Sequence, residues 1–372
     1  MFSMTNPYLL IIITSSICGL IAGFVMHRSS FCVTGMFRDM FLFKDFYMIR
    51  MLILLIVISM ALFEIGTMTG LLSANPFPLL GPPSLATILG GVLFGFGMVL
   101  AGGCVVGTLY KMGSGSVLSL VAFIGLLAGS TFYAEIHHLW SALAKATTFT
   151  PGKVTLPQLL ETSTYSLTLP IAIGGGIYLY KVKDKLVKPT SVDGFIQPWK
   201  VAVILALLGG VSYLFVGMPL GITTSYAKLG SSVELIFAEE HVYSLPYFTG
   251  IPLKYVPPFT DTIITGGAGP KLDAVAAIQY PLVIFITLGA ALSAIILKEF
   301  RVHYRVPVKQ YVTVLIGGFL LGLAARMVPG CNIWHLWGGV PILSMQSIIY
   351  AAALLPGTWL GSKFLTKYII TR

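Results

Sequence analysis

The chain alternates long apolar stretches with short polar ones, and the polar ones carry most of its charge. Apolar segments at about 8–26, 50–66, 87–103, 116–134, 166–180, 199–216, 278–298, 312–328 and 346–361 predict nine membrane-spanning helices. Runs such as Met51–Leu62 and Tyr311–Leu323 contain no charged residue, as the interior of a bilayer requires. Two stretches break the rhythm, 135–165 and 217–277, and both are expected to be external loops. Pro246, Pro252, Pro257 and Pro258 forbid one continuous helix across the second. Gly266-Gly267-Ala268-Gly269-Pro270 reads there as a turn or hinge.

Composition makes the membrane assignment firm. Only 10% of the residues are charged, against about 25% in soluble domains, so the chain cannot cover a water-facing surface in the usual way. The net charge of +10 excludes a nucleic-acid binder, because no water-exposed domain concentrates it. The basic residues instead alternate between connections. One group is Arg28, Arg38, Lys44 and Arg50; a second is Lys181, Lys183, Lys185, Lys188 and Lys200. Lys298, Arg301, Arg305 and Lys309 form a third, Lys363, Lys367 and Arg372 close the chain, and Lys111 falls on the same side. Glu135, Glu161, Glu234, Glu239, Glu240, Asp261 and Asp273 fall on the other. Nine crossings with an external N-terminus and a cytoplasmic C-terminus satisfy the positive-inside rule for an inner-membrane protein. The opening stretch Met1–Val25 lacks the basic start of a signal peptide and is expected to be a retained first helix.

The apolar segments repeat. Gly19 and Cys32, Gly91 and Cys104, and Gly318 and Cys331 share one spacing, and Gly210 followed by Thr223 and Thr224 repeats it with hydroxyls. The expected fold is an all-α polytopic membrane protein in one transport domain over 1–372, with an inverted repeat. Residues 1–134 form the first repeat and 199–372 the second. Residues 135–198 supply an external loop, a connecting helix and a basic cytoplasmic loop. With four segments per half and a single connector, the halves enter from opposite sides, as in many transporters. The rival reading is that the glycines merely allow close helix packing.

The repeated thiols sit where glycine and proline break helices: Gly103 before Cys104, Pro329 and Gly330 before Cys331. A lone thiol in an apolar helix is ordinarily a small buried hydrophobe, which is the reading for Cys18. Three at equivalent positions, each at a break that can present backbone N–H groups, point instead to weak anion sites along a narrow path. Thr223 and Thr224 would place hydroxyls there in the fourth copy, or cap a short helix. Arg326 lies inside an apolar segment and needs a partner, a wet cavity or an anion. Asn332, Trp334, Trp337, Trp359 and Tyr110 are further candidates for the path, and Glu64 reads as reaching the outer interface. Metal transport competes for the thiols, since His27 and His335 lie near Cys32 and Cys331. However, no Cys-x-x-Cys is present, and distributed thiols fit a relay better than a cage. Gly174-Gly175-Gly176 lacks the residues of a phosphate loop and reads as helix packing, so neither cofactor nor resident metal is expected.

The stretches HRSSFCVTGMFRDM (27–40), LGGVLFGFGMVLAGGC (89–104), GMPLGITT (217–224) and GGFLLGLAARMVPGC (317–331) resemble the motifs of the YeeE/YedE family of sulfur-transport membrane proteins. The bacterial thiosulfate transporter branch looks most similar. The resemblance implies nine helices, an inverted repeat, and thiosulfate uptake across the inner membrane beside a cytoplasmic sulfur-carrier or rhodanese-like protein. It implies relay roles for Cys32, Cys104 and Cys331 through S–H···S contacts, and no enzymatic turnover. After Cys331 the chain reads Asn-Ile-Trp-His-Leu-Trp-Gly-Gly, bulkier than that branch. Another sulfur anion or a selenium species therefore stays open as the cargo, as does a membrane sulfurtransferase that passes a persulfide to a soluble partner.

Overall fold

The structure, a computed structural model, describes residues 6–72, 77–188, 192 and 194–370; Arg372 of the closing basic group lies outside them. The chain begins with α1 (Pro7–Ser29), α2 (Val33–Phe43), α3 (Tyr47–Met68), α4 (Leu85–Leu100), α5 (Val105–Gly113) and α6 (Val117–Ala146). It continues through α7 (Leu156–Leu159), α8 (Thr164–Lys181), α9 (Pro198–Val216), α10 (Thr224–Glu234), α11 (Glu239–Ser244) and α12 (Pro246–Thr249). A short antiparallel hairpin, β1 (Leu253–Tyr255) with β2 (Ile264–Gly266), precedes α13 (Ala274–Ile296) and α14 (Val308–Met327). A π-helix, Ile333–Gly339, leads into α15 (Met345–Leu365). The protein is an all-α polytopic membrane protein.

Each of the nine apolar segments is helical. Eight of these helices are long and apolar enough to cross a membrane. The exception is α8, which has 18 residues, holds Pro170 inside it, and packs on α3. Of the three glycines in α8 only Gly175 is a packing glycine, facing Val57; a Cβ on Gly174 or Gly176 would meet open space.

The long helices pack in matched pairs. α4 lies on α15 as α14 lies on α6, and α1 lies on α13 as α9 lies on α3; α1 meets α9 and α4 meets α14 across the centre. Exchanging α1, α3, α4 and α6 for α9, α13, α14 and α15 reproduces these contacts. The spaced glycines sit in them. A Cβ on Gly318 would fall 2.2 Å from the Ala122 carbonyl oxygen on α6, and one on Gly91 would fall 2.7 Å from Ala353 on α15. Gly19 faces Leu282 and Ile286 on α13, while Gly210 faces Leu62 on α3. Close packing is thus part of the reason for the spacing.

Three expectations change in detail. The fourth segment runs to Ala146, so much of the expected 135–165 loop is helix. Its extension is fastened by the Trp140 indole, which donates to the Met327 carbonyl at 2.9 Å. Glu64 does not reach an interface: it is 4% exposed and accepts a bond from Thr168 Oγ1 of α8 at 2.9 Å. The Gly266–Pro270 stretch is a tied turn rather than a hinge. A Cβ on Gly267 would lie 2.1 Å from the Gly250 carbonyl, and the turn is gripped by the ammonium of Lys228.

Candidate functional site

Four short elements start at the repeated polar residues. Cys32 is the N-cap of α2, Cys104 the N-cap of α5, and Thr223 the N-cap of α10; Cys331 precedes Asn332, the N-cap of the π-helix. The local sequence explains the breaks. Gly102 adopts φ 70° and Gly330 φ 144°, conformations that side chains oppose, so the chain leaves α4 and α14 there and restarts. First-turn N–H groups have no intrahelical partner, and sulfur takes part of their demand. Cys104 Sγ accepts from Gly107 N at 3.3 Å, whereas the Cys32 side chain makes no cap bond to α2.

The thiols converge in pairs. Cys32 and Cys104 contact each other over Gly107, where an added Cβ would lie 3.0 Å from one sulfur and 3.4 Å from the other. The Tyr110 phenol lies within electrostatic reach of both sulfurs, and Lys111 Nζ donates to the Gly102 carbonyl at 2.6 Å. Tyr226 and Tyr350 lie within electrostatic reach of both Cys104 and Cys331. Asn332 is held from both sides, accepting from Tyr350 Oη at 2.8 Å and pointing its amide at Met98 Sδ, 3.6 Å away. All four cysteines are free and buried. Cys18 alone stands apart, against the Leu208 carbonyl, as a packing residue.

Two hollows open at the ends of this cluster. One, of about 530 Å³, is lined by Thr223, Thr224, Arg326, Gly330 and Trp334, with Val275 and Gln279 from the start of α13. The other, of about 460 Å³, reaches Cys32 beside His27, Arg28 and Lys188, with Leu297 from the end of α13. At 1.5 Å per residue, Val275 and Leu297 are roughly 33 Å apart, close to the thickness of a bilayer core. The charges of the hollows differ. The second also holds Asp39, Asp45 and Glu299, whereas no carboxylate lines the first among the described residues.

Arg326 is 5% exposed and makes no ion pair among the described residues. Its guanidinium donates to Thr223 Oγ1, to Thr224 Oγ1 at 2.9 Å and to Tyr247 Oη at 3.4 Å, while its Nε has no partner. The two threonine hydroxyls therefore serve Arg326, and neither caps α10 with its side chain. His27 and His335 do not join the thiols in a metal-ligating group. Their Nδ1 atoms bond Ser293 and Ser347, at 3.0 and 2.9 Å. The one group of such residues among those described is Glu135, Glu234 and His241, at the far side of α10. Trp359 is 42% exposed beneath the ammonium of Lys363, away from the hollows, and Trp337 packs edge-on against Phe31.

Sequence reasoning missed Lys228, which is fully buried and bonded to Gly267 O, Gly269 O and Asp273. A lysine in the polar stretch 217–277 carried no signal of burial. It also missed Tyr226 and Tyr350, which are single aromatics among many until the fold brings them beside the thiols.

A family model described as sulphur transport matches residues 28–360. Over 367 residues the chain is 29% identical to the thiosulfate transporter TsuA of Spirochaeta thermophila, covering 93% of this chain and 96% of that one. Over 371 residues it is 27% identical to the thiosulfate transporter TsuA of Escherichia coli, covering 94% of each.

Proposed function

The chain belongs to the sulphur transport family, and from that premise we propose that it takes up thiosulfate through the line of buried thiols between its two hollows. The observation that carries this reading is that Gly330, next to Cys331 in the chain, lines one hollow and Cys32 lines the other, while the Cys104 sulfur shares Gly107 with that of Cys32 and lies within electrostatic reach of Cys331. An anion entering beside Arg326 passes Cys331, then Cys104, then Cys32. At each stop a thiol donates a weak S–H hydrogen bond to the terminal sulfur, while the first turn of a short helix offers a partial positive charge. Weak, repeated sites suit flux, because each binds enough to admit the ion and little enough to release it.

The positive-inside distribution supports placing the Arg326 hollow outside an inner membrane, with the N-terminus external and the C-terminus cytoplasmic. The matched helix pairs support halves related by inversion, with 1–134 corresponding to 199–372 and 135–198 connecting them. The mixed charges around Cys32 support delivery to a soluble sulfur carrier of the rhodanese-like class. Gly103, Thr223, Thr224, Gly330, Asn332 and Arg326 shape the path around the three relay cysteines, and transport proceeds without an enzymatic step.

The test is uptake of labelled thiosulfate into proteoliposomes holding the purified chain, beside Cys104→Ala. Saturable uptake by the parent and its loss in the folded variant is the expected result. Absence of uptake by a folded parent removes thiosulfate, and the same vesicles then report on selenite and sulfide. A persulfide trapped on Cys104 without flux would establish the sulfurtransferase reading instead.

A further inference from the structure

We propose that Trp334 closes the neck between the outer hollow and Cys331 and selects the anion there; this rests on the transport reading above. The indole occupies the gap between the two turns that precede Thr223 and Cys331. A Cβ on Gly221 would lie 3.0 Å from the ring, and one on Gly330 would lie 2.6 Å from it, so both glycines exist in the space the ring needs. Trp334 follows Cys331 by three residues, and Gly330, which precedes Cys331, packs on its ring, so the position of the ring is tied to the relay thiol. The segment that carries it winds as a π-helix, a rare form that is frequent at functional sites, although Thr366–Ile370 adopts it too.

The polar end of the ring is unsatisfied. Trp334 is 6% exposed, and its buried Nε1 has no hydrogen-bond partner among the described residues. A buried donor left unpaired is costly, and an anion in the neck is the acceptor that would relieve it. Arg326, in the same hollow, contributes a positive charge that no carboxylate opposes among the described residues, and its Nε finds no partner there either. Charge and directional donor together fit a compact dianion whose oxygens take both contacts, as thiosulfate's do. Leu79, Ile222, Ile251 and Pro252 supply apolar walls that exclude water, and each polar contact gains weight in such surroundings. A longer dianion such as tetrathionate has to displace the ring to reach Cys331.

Two variants separate the functions of the ring. Trp334→Phe keeps the plug and removes the N–H, so KM for thiosulfate uptake should rise about tenfold, the effect of losing a donor to a charged acceptor. Trp334→Ala opens the neck, so labelled tetrathionate, excluded by the parent, should enter. A Phe variant with KM within about twofold of the parent, or an Ala variant that still excludes tetrathionate, overturns the proposal. If the parent itself moves no thiosulfate, the transport reading fails, and calorimetric binding to the detergent-solubilised parent and Phe variant decides the neck. Equal thiosulfate affinities, or none in either protein, overturn it; weaker binding by the variant upholds it.

Discussion

Replacing Asp273 with Asn should unfold the part of the molecule around α10 and the start of α13 first, and the size of the effect follows from one buried ammonium. Lys228 on α10 has a fully buried side chain, and its three N–H donors are taken by Gly267 O at 3.0 Å, Gly269 O at 2.6 Å and Asp273 Oδ2 at 2.9 Å. Asp273 also caps α13 through Ala276 N and accepts from Gly267 N. Asn keeps an oxygen for the cap but removes the countercharge, leaving a buried cation on two carbonyls. Breaking a buried pair from one side costs about 3–5 kcal/mol, and the partial exposure of Asp273 puts this case near about 3. The reverse change, Lys228→Met, leaves a carboxylate with two backbone donors and access to water, so it should cost less than about 2 kcal/mol. Thermal unfolding in detergent, followed by a thiol-reactive dye, reads both, because all four cysteines are buried in the folded chain. Asp273→Asn should lower the midpoint by roughly 5–10 °C, and adding Lys228→Met should recover part of the loss. A fall under about 2 °C, or a double variant less stable than Asp273→Asn alone, would refute a charged ammonium in this pocket.

Gly107→Ala places a methyl group between the Cys32 and Cys104 sulfurs, so thiosulfate flux should fall at least about tenfold. Its thermal midpoint should hold, because alanine favours the helix by about 1 kcal/mol. Gly330→Ala forces a side chain into φ 144° and onto Trp334, and should cost about 1–3 kcal/mol in the same unfolding assay. His241 on α11 is held above its ordinary pKa, chiefly by its hydrogen bond to Glu135. A raised folded pKa means that the added stability is complete below the unfolded value and is lost as pH rises through the folded one. Proteolysis of the 234–245 stretch should therefore quicken as pH rises above the ordinary histidine value of about 6.5, and Glu135→Gln should remove most of that change.

Much of the architecture was legible in the chain because a bilayer leaves few solutions. A run without charges must be helical when lipid offers its backbone no partner, so all nine apolar segments are helices. Their ends were less legible. α6 runs on to Ala146 because Trp140 finds the Met327 carbonyl, a partner far away in sequence. The thiols were legible as a repeat, and the helix breaks at Gly103 and Gly330 were legible from composition. What Thr223 and Thr224 do was not, since their hydroxyls answer to Arg326, a hundred positions distant.

The sequence by itself determined a charge-poor polytopic helical protein, repeated thiols at helix starts, and the grouping of its basic residues in the connections. These follow from local rules of hydropathy, glycine conformation and charge, each acting within a few residues. Only the tertiary structure decided that Cys32 and Cys104 flank Gly107, that Arg326 has no ion pair among the described residues in a hollow that none of their carboxylates lines, and that Lys228 is buried. Those facts depend on which helix faces which, and helix packing brings together side chains that no local rule relates.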